Sequence, residues 1–314
     1  MSLVLFHRDF RRFQGGHLKV FHYFEHVRSS PPHRALIRFS PDTVWDPSNP
    51  WSGLREYVVD PGETVDADVQ FLAGVDWRAL EPAQRASSSV PIVNLIQDFS
   101  PALTDGPPHE FLAHRAIRIC VSGEIQDALE GIPAVNGPIF TVPIGIDLDQ
   151  LPAARPADAR DVDCVVLAAK DPAMGSAIAA NLTKRGYRVV LLDAPTSRNE
   201  LLEAMARARV SVHLPNPVEG AYLPALESMA LGTTVVCPDC VGNRSFCRDG
   251  ETSLVPRRSK RAIIDSALLA LTASPGELDA MLASGREESM RRTLTSERAR
   301  FLEILDDAED LWAA

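Results

Sequence analysis

From Cys164 to Val255 the chain repeats one alternation, a short apolar run followed by a segment with helical periodicity. The apolar runs at Cys164 to Ala168, Arg188 to Leu192, Val210 to Leu214, Thr234 to Cys237 and Thr252 to Val255 read as strands. Runs of this length with little polar interruption suit strands buried on both faces. Between them, Ala173 to Arg185 puts Met174, Ile178 and Leu182 on one helical face and stops at Gly186. Ser197-Arg-Asn-Glu200 is a capping box, opening a helix with Leu201, Leu202 and Met205. Parallel neighbours need a crossover connection, usually a helix. The alternation therefore predicts a doubly wound parallel sheet.

The first half repeats the alternation less cleanly. Leu3 to Phe6, Ala35 to Phe39, Val69 to Ala73, Ile92 to Ile96, Ile117 to Val121 and Ile139 to Val142 read as strands. His17 to Val27, Trp77 to Ala86 and Glu110 to Ala116 read as helices, and Ser122 as the N-cap of another. Residues 41–66, with Trp45 and Trp51, read as a long irregular loop able to shape a pocket. The Pro/Ala-rich stretch from Leu151 to Asp158 marks a linker. The expected division is 1–147, 148–295, and a closing helix within 296–314 bearing Phe301, Leu302, Ile304, Leu305 and Leu311. A length of 314 residues and 45% hydrophobic content suit two domains.

A net charge of −10 argues against general binding to nucleic acid or anionic membranes. No apolar run approaches the ~20 residues that span a bilayer, which leaves peripheral membrane contact open. The opening residues 1–6 read as a strand rather than a leader, and the cytoplasm is the default compartment. Five cysteines, an odd number, do not suggest a disulfide framework. Cys237-Pro-Asp-Cys240 lacks a second pair or a histidine cluster and reads as a strand-end coincidence. Asp66-Ala-Asp68, Asp147-Leu-Asp149 and Asp161-Val-Asp163 are literal D-x-D strings, but chance supplies such strings in an acidic chain, and no metal site is assigned.

One stretch carries chemistry. In Glu219-Gly-Ala-Tyr-Leu-Pro-Ala-Leu-Glu227, two carboxylates bracket a glycine loop and a proline suited to the first helical position. Gly232 suits the stop. Glu219 then lies in the loop and Glu227 in the helix's first turn or just past it. The unpaired amides of Gly220, Ala221, Tyr222 and Leu223 between them form an anion site. A diphosphate facing those amides, with each carboxylate accepting from sugar hydroxyls, is one reading. A buried crossover with a capping glutamate at each end is the other.

The stretch through Ser228-Met-Ala-Leu-Gly-Thr-Thr-Val-Val236 resembles the E-x7-E signature of retaining GT-B-fold glycosyltransferases (group 1, family 4-like), E-G-F-G-L-P-x-L-E-A-M-A-x-G-x-P-V-V. Arg248-Asp-Gly-Glu-Thr-Ser-Leu-Val255 is similar to the family's D-G-x-x-G-x-L-V segment, and Val142-Pro-Ile-Gly-Ile-Asp147 to its P-N-G-[IV]-D segment. The resemblance covers roughly the second half. It implies an α/β fold of two Rossmann-like domains facing a cleft, with a C-terminal helix crossing back. It implies metal-independent transfer from a nucleotide-diphosphate sugar, on UDP or GDP, with no cofactor and an unidentified acceptor (glycan, lipid or small molecule).

Carried over residue by residue, Glu219 holds the transferred sugar, Glu227 the ribose, and Lys170 the diphosphate. Lys170 stands where the family has arginine, and Met174 stands where it has lysine. Gly15 and Gly16 let backbone approach the ligand, or form an ordinary turn. Arg8, Arg11 and Arg12 beside them face a diphosphate or an anionic acceptor, or simply solvent. Gln97 and Asp98 occupy the family's His-Asp position near the sugar; Gln97 can hydrogen-bond but not carry a proton at neutral pH. Arg244 is a further candidate for the donor, near Ser245, where the family often has glutamate. The departures at Gln97, Met174 and Ser245 also admit an inactive subunit supporting a partner enzyme, and a GT-B epimerase is a third reading. No G-x-G-x-x-G follows the first strand of either half, which disfavours a Rossmann oxidoreductase.

Overall fold

The computed structural model describes residues 2–12, 14–103, 106–274 and 276–314, so Met1 of the opening stretch lies outside it. The chain forms two compact units, Met1–Pro143 with Thr295–Ala314, and Ile144–Leu294.

Among the described residues the first unit holds seven parallel strands: β1 (Leu3–Arg8), β2 (Arg34–Phe39), β3 (Val58–Val59), β4 (Val69–Ala73), β5 (Ile92–Ile96), β6 (Ile117–Cys120) and β7 (Ile139–Thr141). Their order is β3-β2-β1-β4-β5-β6-β7, so the order reverses between β1 and β4. The helices are α1 (Gly15–Arg28), α2 (Pro82–Ala86), α3 (Pro107–Glu110) and α4 (Gly123–Glu130). Helix α1 begins two residues earlier than the sequence suggests, with Gly15 and Gly16 as its first two residues. The helix expected over Trp77 to Ala86 is a 3-10 stretch at Gly74–Ala79 and then α2, since Pro82 can open a helix but not sit inside one. The helix expected over Glu110 to Ala116 is likewise α3, opened by Pro107, and one 3-10 turn at Phe111–Ala113. The 41–66 loop contributes β3 and packs inward. Trp51 is fully buried, edge-on to Phe21 and Phe39 at 5.2 and 5.5 Å.

The second unit is a parallel sheet of β8 (Val162–Leu167), β9 (Val189–Leu192), β10 (Ala208–His213) and β11 (Thr234–Val236), ordered β11-β10-β8-β9. Its order reverses between β8 and β10. Helices α5 (Pro172–Lys184), α6 (Arg198–Arg207) and α7 (Leu223–Ala230) make the crossovers, followed by α8 (Lys260–Thr272) and α9 (Asp279–Arg291). Residues 252–255 are not the expected strand; Leu254 makes a single parallel bridge to Val236. Gly175 on α5 sits against β8's end, where a Cβ would lie 2.1 Å from that of Ala168. Its role here is close helix-to-strand packing.

The C-terminal segment is two helices, α10 (Leu294–Asp306) and α11 (Ala308–Ala313), parted at Asp307. It packs on the first unit. Glu297, fully buried, accepts from Lys19 Nζ at 2.8 and 3.1 Å and from His26 Nε2 at 3.0 Å. Burial opposes its charge, but Lys19 and His26 outweigh burial and hold its carboxyl down to about 2. Phe301 meets Tyr23 edge-on at 4.7 Å, and Trp312 packs on the cluster of Leu72, Trp77 and Phe111. No helix among the described residues is long and apolar enough to cross a membrane.

Candidate active site

In an open parallel sheet, ligands gather at the carboxyl ends of the strands where the strand order reverses. Each unit places a polar site there.

In the second unit the reversal point lies between β8 and β10. Their ends align, with Leu167 opposite His213. Lys170 follows β8 and Glu219 follows β10. The two are joined by a short hydrogen bond from Lys170 Nζ to Glu219 Oε1, which also accepts from the Asn216 amide at 2.9 Å. Glu219 is mostly buried and Lys170 exposed. Lys170 also lies 5.6 Å from the centre of the Tyr222 ring.

Glycine holds the Glu219 loop in place. A Cβ on Gly242 would lie 2.3 Å from the Glu219 carbonyl oxygen and 2.8 Å from the Ala221 nitrogen. Only glycine admits so close a backbone approach. The Gly242 carbonyl accepts from the Tyr222 amide at 3.2 Å. Pro224, the second rather than the first residue of α7, has no amide hydrogen. Of the four amides expected to form an anion site, that of Tyr222 is therefore already engaged. Arg258 spans two loops, its guanidinium donating to the carbonyls of Pro215 at 2.6 Å and Asp239 at 3.2 Å.

Glu227 is the fifth residue of α7 and has no exposed surface. Its Oε1 accepts from Arg198 Nη2 at 2.7 Å, while its Oε2 is buried without a partner. Arg198 is a site residue that the sequence reading missed. It opens α6 directly after the Ser197 cap, 29 residues from Glu227, and no motif marks it. Beneath α7, His213 is fully buried, with Nε2 at 3.0 Å from Ser211 Oγ and 3.2 Å from Ser228 Oγ. Burial lowers its pKa to about 3. Gly232 takes φ of +69°, the left-handed stop expected of it.

In the first unit a cavity of about 350 Å³ opens at the ends of β1, β4 and β5. Arg8 ends β1 and donates from Nε to His17 Nδ1 at 2.9 Å and from Nη1 to Asp76 at 2.6 Å. An accepting Nδ1 leaves the neutral ring's proton on Nε2. Burial, then the Arg8 charge, lowers His17 to about 4. Burial pushes Asp76 up to about 6 against the pull of Arg8. Gly16 lies beside Gln97: a Cβ on Gly16 would be 3.4 Å from Gln97 Oε1. Gly16, Gln97, Arg8, Arg11, Arg12 and Asp98 all line this cavity, and Gly15 begins the helix beside it.

Some sequence candidates have local partners. Asp98 is exposed and accepts from the Ser100 amide at 2.8 Å, closing an Asx turn after β5. Arg11 pairs with Asp9 and Asp42, and Arg244 pairs bidentately with Asp239 at 2.7 and 2.9 Å on the surface. Asp161 and Asp163 pair with Arg207 and Arg188 at the amino end of β8, away from the ligand end, and Asp147 caps a 3-10 turn.

Residues 146–273 match the family described as Glycosyl transferases group 1. No curated protein matches by sequence. Among solved structures the chain is similar to sucrose-phosphate synthase from Thermosynechococcus elongatus, at 11% identity, TM-score 0.70 and full coverage of both chains. It is similar to Anabaena HepE, solved with UDP and glucose, at 13% identity and TM-score 0.71, over 98% of this chain and 100% of that one. It is also similar to a glycosyltransferase from Rickettsia africae, at 10% identity and TM-score 0.70, over 98% of each. The match to group 1 glycosyl transferases thus falls within the second unit, and the chain has the GT-B fold.

Proposed function

We propose that this protein is a retaining glycosyltransferase, moving a sugar from a nucleotide-diphosphate sugar to an acceptor hydroxyl without a metal ion. The observation that carries this reading is the placement of Glu219, Lys170 and Glu227 about one strand-order reversal, with a buried, unpartnered oxygen on Glu227. Lys170 and the amides of Gly220, Ala221 and Leu223 face the departing diphosphate, whose charge grows in the transition state. Fixed donors aimed at developing charge are a large source of rate. Glu219 accepts from hydroxyls of the transferred sugar, and Glu227 from the ribose. No side chain is assigned as nucleophile; the leaving phosphate takes the acceptor's proton on the same face. The UDP and glucose bound in HepE support UDP as the first carrier to try. The cavity of the first unit, with Gln97 and Gly16 on its wall, is our candidate for the acceptor. Five buried, unpaired thiols fit the reducing cytoplasm.

The test is turnover of UDP- and GDP-sugars with a panel of acceptors in the presence of EDTA, with the product anomer read by NMR. We expect transfer with the donor's anomeric configuration kept. Inverted product, or transfer only on adding a divalent cation, overturns the corresponding part. Nucleotide-sugar binding without turnover across the panel favours the partner-subunit reading.

A further inference from the structure

Arg198 and Glu227 meet along one edge only. A guanidinium facing a carboxylate can make two parallel bonds. Here Nη2 donates to Oε1 at 2.7 Å, while Arg198 Nε and Glu227 Oε2 are each buried with no partner. One is a donor and the other an acceptor, on two side chains already in contact. Buried polar atoms left unmatched are costly, so the pair is built for something that satisfies both. A phosphate oxygen would suit Nε but be repelled by Oε2. An ammonium would suit Oε2 but be repelled by Nε. A hydroxyl both donates and accepts, and it suits the two together.

We propose that Arg198 is a specificity-determining residue for the nucleoside, reading one ribose hydroxyl jointly with Glu227. The hydroxyl donates to Oε2 and accepts from Nε–H. This rests on the nucleotide-sugar reading given above. It adds that ribose is distinguished from deoxyribose by a residue outside the two-glutamate stretch. The cap at Ser197 fixes where Arg198 starts: its Oγ accepts from the Glu200 amide at 3.3 Å. Arg198 therefore projects from a set point in the first turn of α6 rather than from a loose loop.

The experiment is calorimetric titration of the full chain and of Arg198→Lys with UDP, 2′-deoxy-UDP and 3′-deoxy-UDP, and with GDP and its two deoxy counterparts. Lysine can still pair with Oε1 but has no Nε edge. In the wild type we expect one ribose diphosphate to bind about tenfold or more tightly than one of its deoxy forms, as befits a hydrogen bond to a charged group. In Arg198→Lys that ratio should shrink about tenfold, with melting temperature little changed. Should lysine unsettle the fold, Arg198→Gln, which keeps an N–H for Oε1, reports the same ratio. An unchanged ribose preference in the variant removes Arg198's role and leaves the donor reading standing. A wild type that binds UDP and its deoxy forms equally shows that the pair holds only water. If neither UDP nor GDP binds, the donor reading fails and this inference goes with it.

Discussion

At the end of β1, Arg8 donates to both His17 and Asp76, and none of the three keeps a buried polar atom without a partner. Around α7, by contrast, Glu227 and Arg198 share a single bond and leave one polar atom each without a partner. Both sites lie where a parallel sheet reverses its strand order. The difference is in what their charges are for. Charges paired with one another hold the walls of the first-unit cavity in place, whereas a pair left open has capacity to recognise a ligand directly.

The sharpest test of the open site is Glu219→Ala. Loss of its oxygens should lower transfer by roughly 10²–10³-fold, the scale of removing one preorganised polar contact from an active site. The far-UV spectrum should be unchanged. Wild-type turnover in this variant would remove the second-unit site from the chemistry. The closed site should answer in stability instead. Arg8→Ala leaves Asp76 buried without its cation and should cost about 3–5 kcal/mol in urea unfolding. Arg8→Ala with Asp76→Leu should recover much of that. A neutral single variant would mean that the first-unit network is not structural.

Acid should separate the two kinds of site further. Burial holds His213 down to about 3, and His17 and the buried His7 of β1, whose Nε2 meets Gln70 Oε1 at 2.7 Å, to about 4, against an ordinary 6.5. Their contribution is therefore present above pH 6.5 and is lost as pH falls through 4 and then 3. Glu297, held at about 2 against an ordinary 4.5, adds its loss below pH 4.5. Asp76, raised to about 6 from 3.8, works in the opposite sense and favours the fold at lower pH. Urea midpoints should fall between pH 6.5 and 4, and Asp76→Asn should steepen that fall. Gly242→Ala should cost about 1–3 kcal/mol by overpacking, and turnover should drop as Glu219 is displaced. Arg244→Ala, which breaks an exposed pair with Asp239, should stay within about 1 kcal/mol in melting measurements.

Most of the frame was legible because its signals are local. The strands that flank the sites, β8, β10, β4 and β5, are runs of apolar residues, and the caps at Ser122 and Ser197 announce their helices. Misreadings came where a local signal was overruled or absent. Pro82 divides the helix expected over 77–86. Leu254 pairs once where four residues were expected to pair. Helices α8 and α9 carry no motif and went unread. In the site, the spacing of Glu219 and Glu227 fixes a loop and a helix, so both could be found from sequence. Arg198 could not, since its partner lies 29 residues away and only the packing of α6 on α7 brings them together. The trio Arg8, His17 and Asp76 was half visible: the arginine was noticed, but its two partners arrive from α1 and from beyond β4.

The clasp formed by Lys19, His26 and Glu297 has a bearing on how the molecule is made. A polypeptide leaves the ribosome from its amino end, and early segments usually fold as they emerge. Here the buried ammonium of Lys19 pairs with a carboxylate encoded 278 positions later. The helix that carries Lys19 therefore cannot reach its finished packing until Glu297 has been synthesised.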